Sequence, residues 1–269
     1  MKRRRVGLWL LKVAVICFVL FVIVGPLVGV VLWSFAIKWY WPHLVPQVMG
    51  VKYWVDVFQR GRVLDSILLS LEIASIVVVL SLVIASPAAY GFSRYKLPLE
   101  KFLLVIFLMP QAFPQLPIFI NIAAVFARHS LTGNMWGIIF VHTMASLVFS
   151  VWIITATFRS IPEELEQAAL NLGASRLKTF FTITLPLAIP GLIASAIFVF
   201  LWSMGEFTGA FFIGAPYIQT APVMMYTAAM GYNMQTASVV ALILMVPAIF
   251  FMIIIEKYLK AEYIGGLGG

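Results

Sequence analysis

Glu206 is the residue in this sequence best placed to act on a polar solute. It stands in Trp202-Ser203-Met204-Gly205-Glu206-Phe207-Thr208-Gly209-Ala210, a carboxylate among aromatic and small residues in a long apolar run. A charge set against hydrocarbon costs at least ~2.5 kcal/mol, so this one is expected to face protein or a watery cavity. Gly205 and Gly209 leave room beside it. The alternative role is structural, with Glu206 capping or pairing a neighbouring helix. Gln111, Gln115 and Asn121 form a second polar group, interleaved with Pro110, Pro114 and Pro117. Each proline removes a backbone donor, so a helix there must kink or break, and the freed carbonyls need partners from other helices or water. A broken helix carrying amides reads as the wall of a cavity; a kink used only for packing is the alternative. Glu206, Ser203, Gln111, Gln115 and Asn121 are therefore the candidate polar path.

Other chemistry is not encoded. No G-x-x-x-x-G-K-[ST] run is present to cradle nucleotide phosphates, and no nucleophile stands with a base. His142 has no second His, Cys or carboxylate at ligand spacing, so it reads as a hydrogen-bonded packing residue and no metal site is expected. Glu72, near one end of an apolar run, reads equally as a structural partner. The chain is not expected to be an enzyme by itself.

The longest polar interruption is Ser160–Pro186, SIPEELEQAALNLGASRLKTFFTITLP. Ser160 and Glu163 have capping-box spacing, Pro162 suits a first helical turn, and Glu163, Glu164 and Glu166 suit the positive end of a helix dipole. Leu165, Ala168, Ala169 and Leu172 follow i, i+3, i+4, i+7 and share one face. Gly173 stands where a left-handed C-terminal cap belongs. A short second helix, Ser175–Thr184, is expected to stop at Pro186. The two alanines keep one face shallow enough for another protein's backbone to approach.

The elements that must position these residues are membrane helices. Hydrophobic residues are 63% of 269 and charged residues 10%, and the mean hydropathy is +1.05; this is the composition of an integral membrane protein. Cys17 is the single cysteine, so no intrachain disulfide forms. The spacing predicts an all-α, single transmembrane domain over 1–269, with about six spans at 8–33, 66–90, 102–124, 135–157, 187–213 and 237–258 and a cytosolic loop at 158–186. Thirteen Lys and Arg fall on the side of Lys2–Arg5, against Lys38, Lys52, Arg60, Arg62 and Arg128 on the other, out of 18. That bias puts both termini in the cytosol, and the basic start near membrane lipid accounts for the net charge without nucleic acid. The aromatic residues Trp39, Tyr40, Trp41, Tyr53 and Trp54 suit a membrane interface on the outer side, and Tyr53–Phe58 a short interfacial helix. The tail GGLGG is flexible by composition.

The cytosolic loop resembles that of the permease subunits of type I, binding-protein-dependent ABC importers, of the maltose and sugar type. That loop has the form EAA, three residues, Gly, nine residues, I-x-L-P; here it reads Gln167-Ala168-Ala169, three residues, Gly173, nine residues, Ile183-Thr184-Leu185-Pro186. The ending Ala88-Ala89-Tyr90-Gly91-Phe92-Ser93-Arg94-Tyr95 is similar to another stretch of the same family. The resemblance implies a type I permease fold in the cytoplasmic membrane of a prokaryote, a second permease subunit, two ABC ATPase subunits that bind ATP and Mg, an external solute-binding protein, and no cofactor on this chain. It implies that Glu163, Glu164, Leu165, Glu166, Gln167, Ala168, Ala169, Leu172 and Gly173 couple to an ATPase. Gln167 departs from the family's glutamate, which pairs with a basic group on the ATPase, leaving Glu166 or Glu164 to replace it. For the substrate, the surroundings of Arg94 and Glu206 resemble sugar or polyol permeases, whereas Asn171-Leu172-Gly173 resembles those for polyamines and inorganic ions. A stand-alone secondary carrier or channel is the remaining reading, without an internal repeat to support it.

Overall fold

In a bilayer every backbone N–H and C=O must be paired within its own segment, so long apolar runs become helices. A computed structural model of the chain describes the backbone of residues 2–59, 61–96, 98–214 and 216–266, without the side chains of 2–8, 10, 100–101 and 255–266. The side chains of Lys2–Arg5, Lys101, Lys257 and Lys260, all of Arg60, and the tail from Leu267 lie outside the described residues. In chain order the elements are α1 (Lys2–Phe35), β1 (Ala36–Lys38), β2 (Val48–Met49), α2 (Lys52–Gln59), α3 (Arg62–Arg94), α4 (Glu100–Ala112), α5 (Gln115–Arg128), α6 (Met135–Ser160), α7 (Glu163–Asn171), α8 (Arg176–Thr179), α9 (Leu185–Gly205), α10 (Thr208–Gly214), α11 (Ala221–Met230) and α12 (Met234–Gly266). Five helices are long and apolar enough to cross a membrane, and the bent pair α4–α5 makes a sixth if taken as one span. This is the expected all-α membrane architecture. By contacts, the chain divides into two compact units, 1–65 with 224–246 and 66–223 with 247–269.

In the first unit, the Leu11–Phe35 part of α1 is strongly apolar and its most apolar window has no buried residue, so that surface is left for lipid or another chain. Cys17 is exposed on it. The β1–β2 ladder is antiparallel, pairing Ala36 with Met49 and Lys38 with Val48. Strands this short carry no periodicity, and the sequence did not announce them. The interfacial helix expected at Tyr53–Phe58 is α2, whose Trp54 ring lies 5.8 Å from that of Phe35.

The second unit is built around α6. Ile138, Ile139 and Val141 meet Ile73 and Val77 of α3, Val199 of α9 and Ile213 of α10 in one cluster. Nearer its C-terminus, Val151, Ile154 and Phe158 meet Ala85 and Ala89 of α3 and Ala188 of α9 in another. Lipid tails are as apolar as leucine, so such contacts rest on close fit rather than on escape from water. Small residues supply that fit: a Cβ on Gly191 of α9 would collide with Thr157 of α6. Ser81 and Ser146 add a buried hydroxyl–hydroxyl bond of 2.8 Å between α3 and α6.

Two spans depart from the expected boundaries. The third breaks between α4 and α5 with a bend of 94°. Pro114 sets the place: Phe113 before it is extended (φ −98°, ψ 150°), the conformation a following proline favours. Pro110 stays inside α4 and Pro117 lies in the first turn of α5, where a missing N–H is tolerated. The fifth span starts earlier and ends earlier than 187–213. It runs from Arg176 to Gly205 as one helix, and α10 is separate. Pro186 does not stop the chain because Phe180–Thr184 forms a π turn, in which the Leu185 N–H donates to Phe180 O. The wider turn absorbs an extra residue just where a proline would otherwise clash with the carbonyl four residues back.

Candidate functional site

Ser160 remains in α6, and its hydroxyl donates to Thr157 O at 2.7 Å. The expected capping box with Glu163 therefore does not form. Pro162 takes the cap position itself (φ −57°, ψ 129°) and supplies no side-chain acceptor. The first turn of α7 relies instead on the dipole, with Glu163, Glu164 and Glu166 at its positive end.

Glu166 is the one buried residue of α7, 7% exposed. Arg94, at the C-terminus of α3, donates from Nε to Glu166 Oε1 at 2.8 Å. Its Nη1 and Nη2 donate to the carbonyls of Phe158 and Ile161 at 2.9 and 3.0 Å. Tyr90, one turn back on α3, donates its hydroxyl to Glu166 Oε2 at 2.9 Å. One arginine thus closes off the carbonyls at the end of α6 and holds α7 by its carboxylate. Its charge also suits the negative end of α3. Taking one partner from a buried pair of this kind costs about 3–5 kcal/mol, because the other charge stays buried. The sequence reading missed this clamp. The signal was an arginine closing one span and an odd-one-out acid in the next polar loop, 72 residues away.

The C-terminus of α7 closes by the full Schellman scheme. Gly173 N–H donates to Leu170 O at 3.0 Å, and Ala174 N–H to Ala169 O at 3.1 Å. Gly173 has φ +87°, and open space where a Cβ would sit. The left-handed cap is as the sequence predicts, and its demand is conformational rather than steric.

The result is a mostly exposed helix that buries one of its three acids. A carboxylate points inward, while Leu165 is 44% exposed and Leu172 90% exposed. Gln167 and Ala168 are exposed and Ala169 is half-buried. Leu177, just beyond, is 73% exposed.

Glu206 lies elsewhere in the same unit, between α9 and α10. Its Oε1 and Oε2 accept from Gly209 N at 2.9 Å and Ala210 N at 3.1 Å, so it caps α10. His142 Nε2 stands 3.0 Å from Oε2, in ion-pair range, and His142 Nδ1 is 2.9 Å from Ser203 Oγ. All three are buried. His142 is hydrogen-bonded in the interior, and the Glu206 carboxylate caps one helix and pairs with another. Asn121 is exposed and donates back to Pro117 O at 2.8 Å on its own helix. Gln115 is exposed and Gln111 half-buried at the α4–α5 break. Among the described residues, no hydrogen bond or ion pair joins these three amides to Ser203 or Glu206, and no His, Cys, Asp and Glu cluster could hold a metal.

Comparison with known proteins places this arrangement. Residues 78–264 match the family model of the binding-protein-dependent transport system inner membrane component. The trehalose transport system permease SugB of Mycobacterium tuberculosis is 28% identical over 229 residues, 83% of each chain. The protein named as the 2-aminoethylphosphonate transport system permease PhnV of Salmonella typhimurium is 23% identical over 248 residues, 91% of this chain and 93% of that one. Among solved structures, a chain of a bacterial ABC transporter involved in import of the polysaccharide alginate superposes with a TM-score of 0.74 at 18% identity, covering 96% of this chain and 98% of that one. The chain therefore belongs to the binding-protein-dependent transport system inner membrane components: it is an ABC importer permease subunit, a multi-pass protein of the cytoplasmic membrane.

Proposed function

We propose that this subunit carries a neutral sugar or polyol inward, driven by ATPase subunits that grip α7. The observation that carries the coupling role is the burial pattern of α7: Glu166 anchors it inside the chain while Leu165 and Leu172 face out beside exposed Glu163, Glu164 and Gln167. A surface of that kind fits a groove on a soluble partner. Because Arg94 and Tyr90 occupy Glu166, Glu164, which is exposed, is the acid left to meet a basic group on the ATPase beside Gln167. The Lys and Arg bias supports a cytosolic position for α7 and for both termini. The assembly then comprises this chain, a second permease subunit, two ATPases holding ATP and Mg, and the external binding protein that the family's description names.

The trehalose relative supports the sugar reading. A second reading, a small charged solute, is favoured by the phosphonate relative, which covers more of the chain at lower identity. Uptake of labelled trehalose, maltose, mannitol, spermidine and 2-aminoethylphosphonate in a strain lacking this gene, against the complemented strain, separates the two. Gene-dependent uptake of 2-aminoethylphosphonate or spermidine alone overturns the sugar assignment. Loss of ATPase co-purification in Ala169→Arg, with normal membrane insertion, is the expected result for coupling; a complex that assembles and transports normally overturns it.

A further inference from the structure

The first unit contains a polar and aromatic cleft that the coupling role does not use. One part, about 660 Å³, lies between α2, the start of α3 and the turn into α12, and its lining includes Lys52, Tyr53, Asp56, Arg62 and Asn233. A second part, about 390 Å³, shares Tyr53 and Asn233 and adds Trp39, Tyr40, Tyr232 and Gln235. Each has the size of a small-molecule site.

Trp39 is held by its ring, and Tyr40 and Tyr232 by their backbones. Trp39 lies 4.4 Å from Trp33, ring to ring, and its indole N–H donates to His43 O at 2.8 Å. The Gln47 amide clasps the backbone of Tyr40 at both ends, accepting from its N–H at 3.2 Å and donating to its carbonyl at 3.3 Å. Tyr232 is the most telling. It occupies the left-handed position of a Schellman closure of α11, with φ +57°, its own N–H on Ala229 O and the Asn233 N–H on Ala228 O. Glycine is the unstrained residue there. The chain places tyrosine instead and leaves it 94% exposed. Strain kept at a position that holds a ring in the open points to a use for the ring. Asn233 Oδ1 accepts from Thr236 N at 3.1 Å, which leaves its amide N–H groups to donate.

Flat aromatic faces suit the C–H faces of a pyranose, and amide side chains suit its hydroxyls. We propose that this cleft is a weak contact site for one or two neutral hexopyranose rings, at the start of α3. The proposal rests on the sugar reading above. An aromatic belt set in lipid would not need amides or a concave wall, and the cleft has both.

The test uses the complete transporter in lipid nanodiscs, without its binding protein, and saturation-transfer NMR with trehalose and maltose at millimolar concentration. Transfer to ring protons is expected in the wild type and should fall at least threefold in Tyr232→Gly and in Trp39→Ala. Tyr232→Gly removes the ring while relaxing the backbone, so its loss of signal is not a folding defect. Absence of transfer in the wild type, in a transporter whose sugar uptake is demonstrated with the binding protein present, overturns the cleft and leaves the sugar reading standing. Unchanged transfer in Tyr232→Gly also overturns it. So does unchanged transfer combined with weaker association of the binding protein, which would make this face a protein dock, or combined with altered thermal stability alone, which would make it an interfacial belt. Uptake of neither sugar by the assembled system would remove the sugar reading on separate grounds.

Discussion

Two helices of this protein end in the same hydrogen-bond scheme with opposite residues. At the end of α7 the left-handed position is Gly173, φ +87°; at the end of α11 it is Tyr232, φ +57°. A side chain there costs about 1–2 kcal/mol relative to glycine. The α7 closure avoids that cost, since its task is to stop a helix whose orientation Arg94 already sets. The α11 closure accepts it, although Gly231 is only one residue away. The same backbone turn is thus a bare stop in one place and a display mount in the other, and residue choice tells the two uses apart.

Substitutions sharpen or break that contrast. The largest effect is expected where α7 is anchored. Arg94→Ala should cost about 3–5 kcal/mol by leaving Glu166 buried alone, seen as a large drop in the thermal midpoint of the purified complex and loss of transport. The charge-swapped pair Arg94→Glu with Glu166→Arg should not rescue it, because residue 94 would then offer an acid to the carbonyls of Phe158 and Ile161. Full rescue would mean the pair matters only as a pair. Next, Gly173→Val should lose about 1–2 kcal/mol by strain alone, since the space beside Gly173 is open. ATP hydrolysis should then run without matching transport, and Gly173→Asn should be milder. Equal behaviour of the two variants would show that the left-handed turn is not what α7 needs. Tyr232→Gly should act with the opposite sign, adding up to ~1 kcal/mol and raising the melting temperature by about 2–4 °C. A lower melting temperature would mean the ring is packed rather than displayed. Smallest for the subunit itself is Leu172→Glu, expected within ~0.5 kcal/mol because the side chain is already in the open. Its effect should appear only as weaker ATPase binding in a pull-down.

What could be read in advance follows from how local each signal is. The cluster of Pro110, Pro114 and Pro117 announced a break without saying which of the three would make it, and Gly173 turns left-handed by a freedom that glycine carries wherever it stands. The spaced loop pattern identified the family for the same reason. Ser160 and Pro186 misled because their roles depend on neighbours: one more turn of α6 keeps Ser160 helical, and a π turn before Pro186 keeps the chain helical past it. The clamp on Glu166 could not be assembled from Arg94 and Glu166 as separate signals, since it needs α3, α6 and α7 to meet. Glu206 was recognised as exceptional, but whether its oxygens were free or taken depended on His142 and the start of α10.

The π turn has a mechanical consequence. By letting the helix continue past Pro186, it joins the base of the α7 loop to Gly205 in a single rod of 30 residues, about 45 Å long at 1.5 Å per residue. A rod of that length converts rotation into travel: a tilt of ~10° at its foot sweeps its tip by about 8 Å. The tip carries Ser203, tied to His142, which in turn faces Glu206. A small tilt applied at the foot therefore arrives, through leverage rather than through any chain of small side-chain shifts, at the buried Ser203, His142 and Glu206 cluster at its tip.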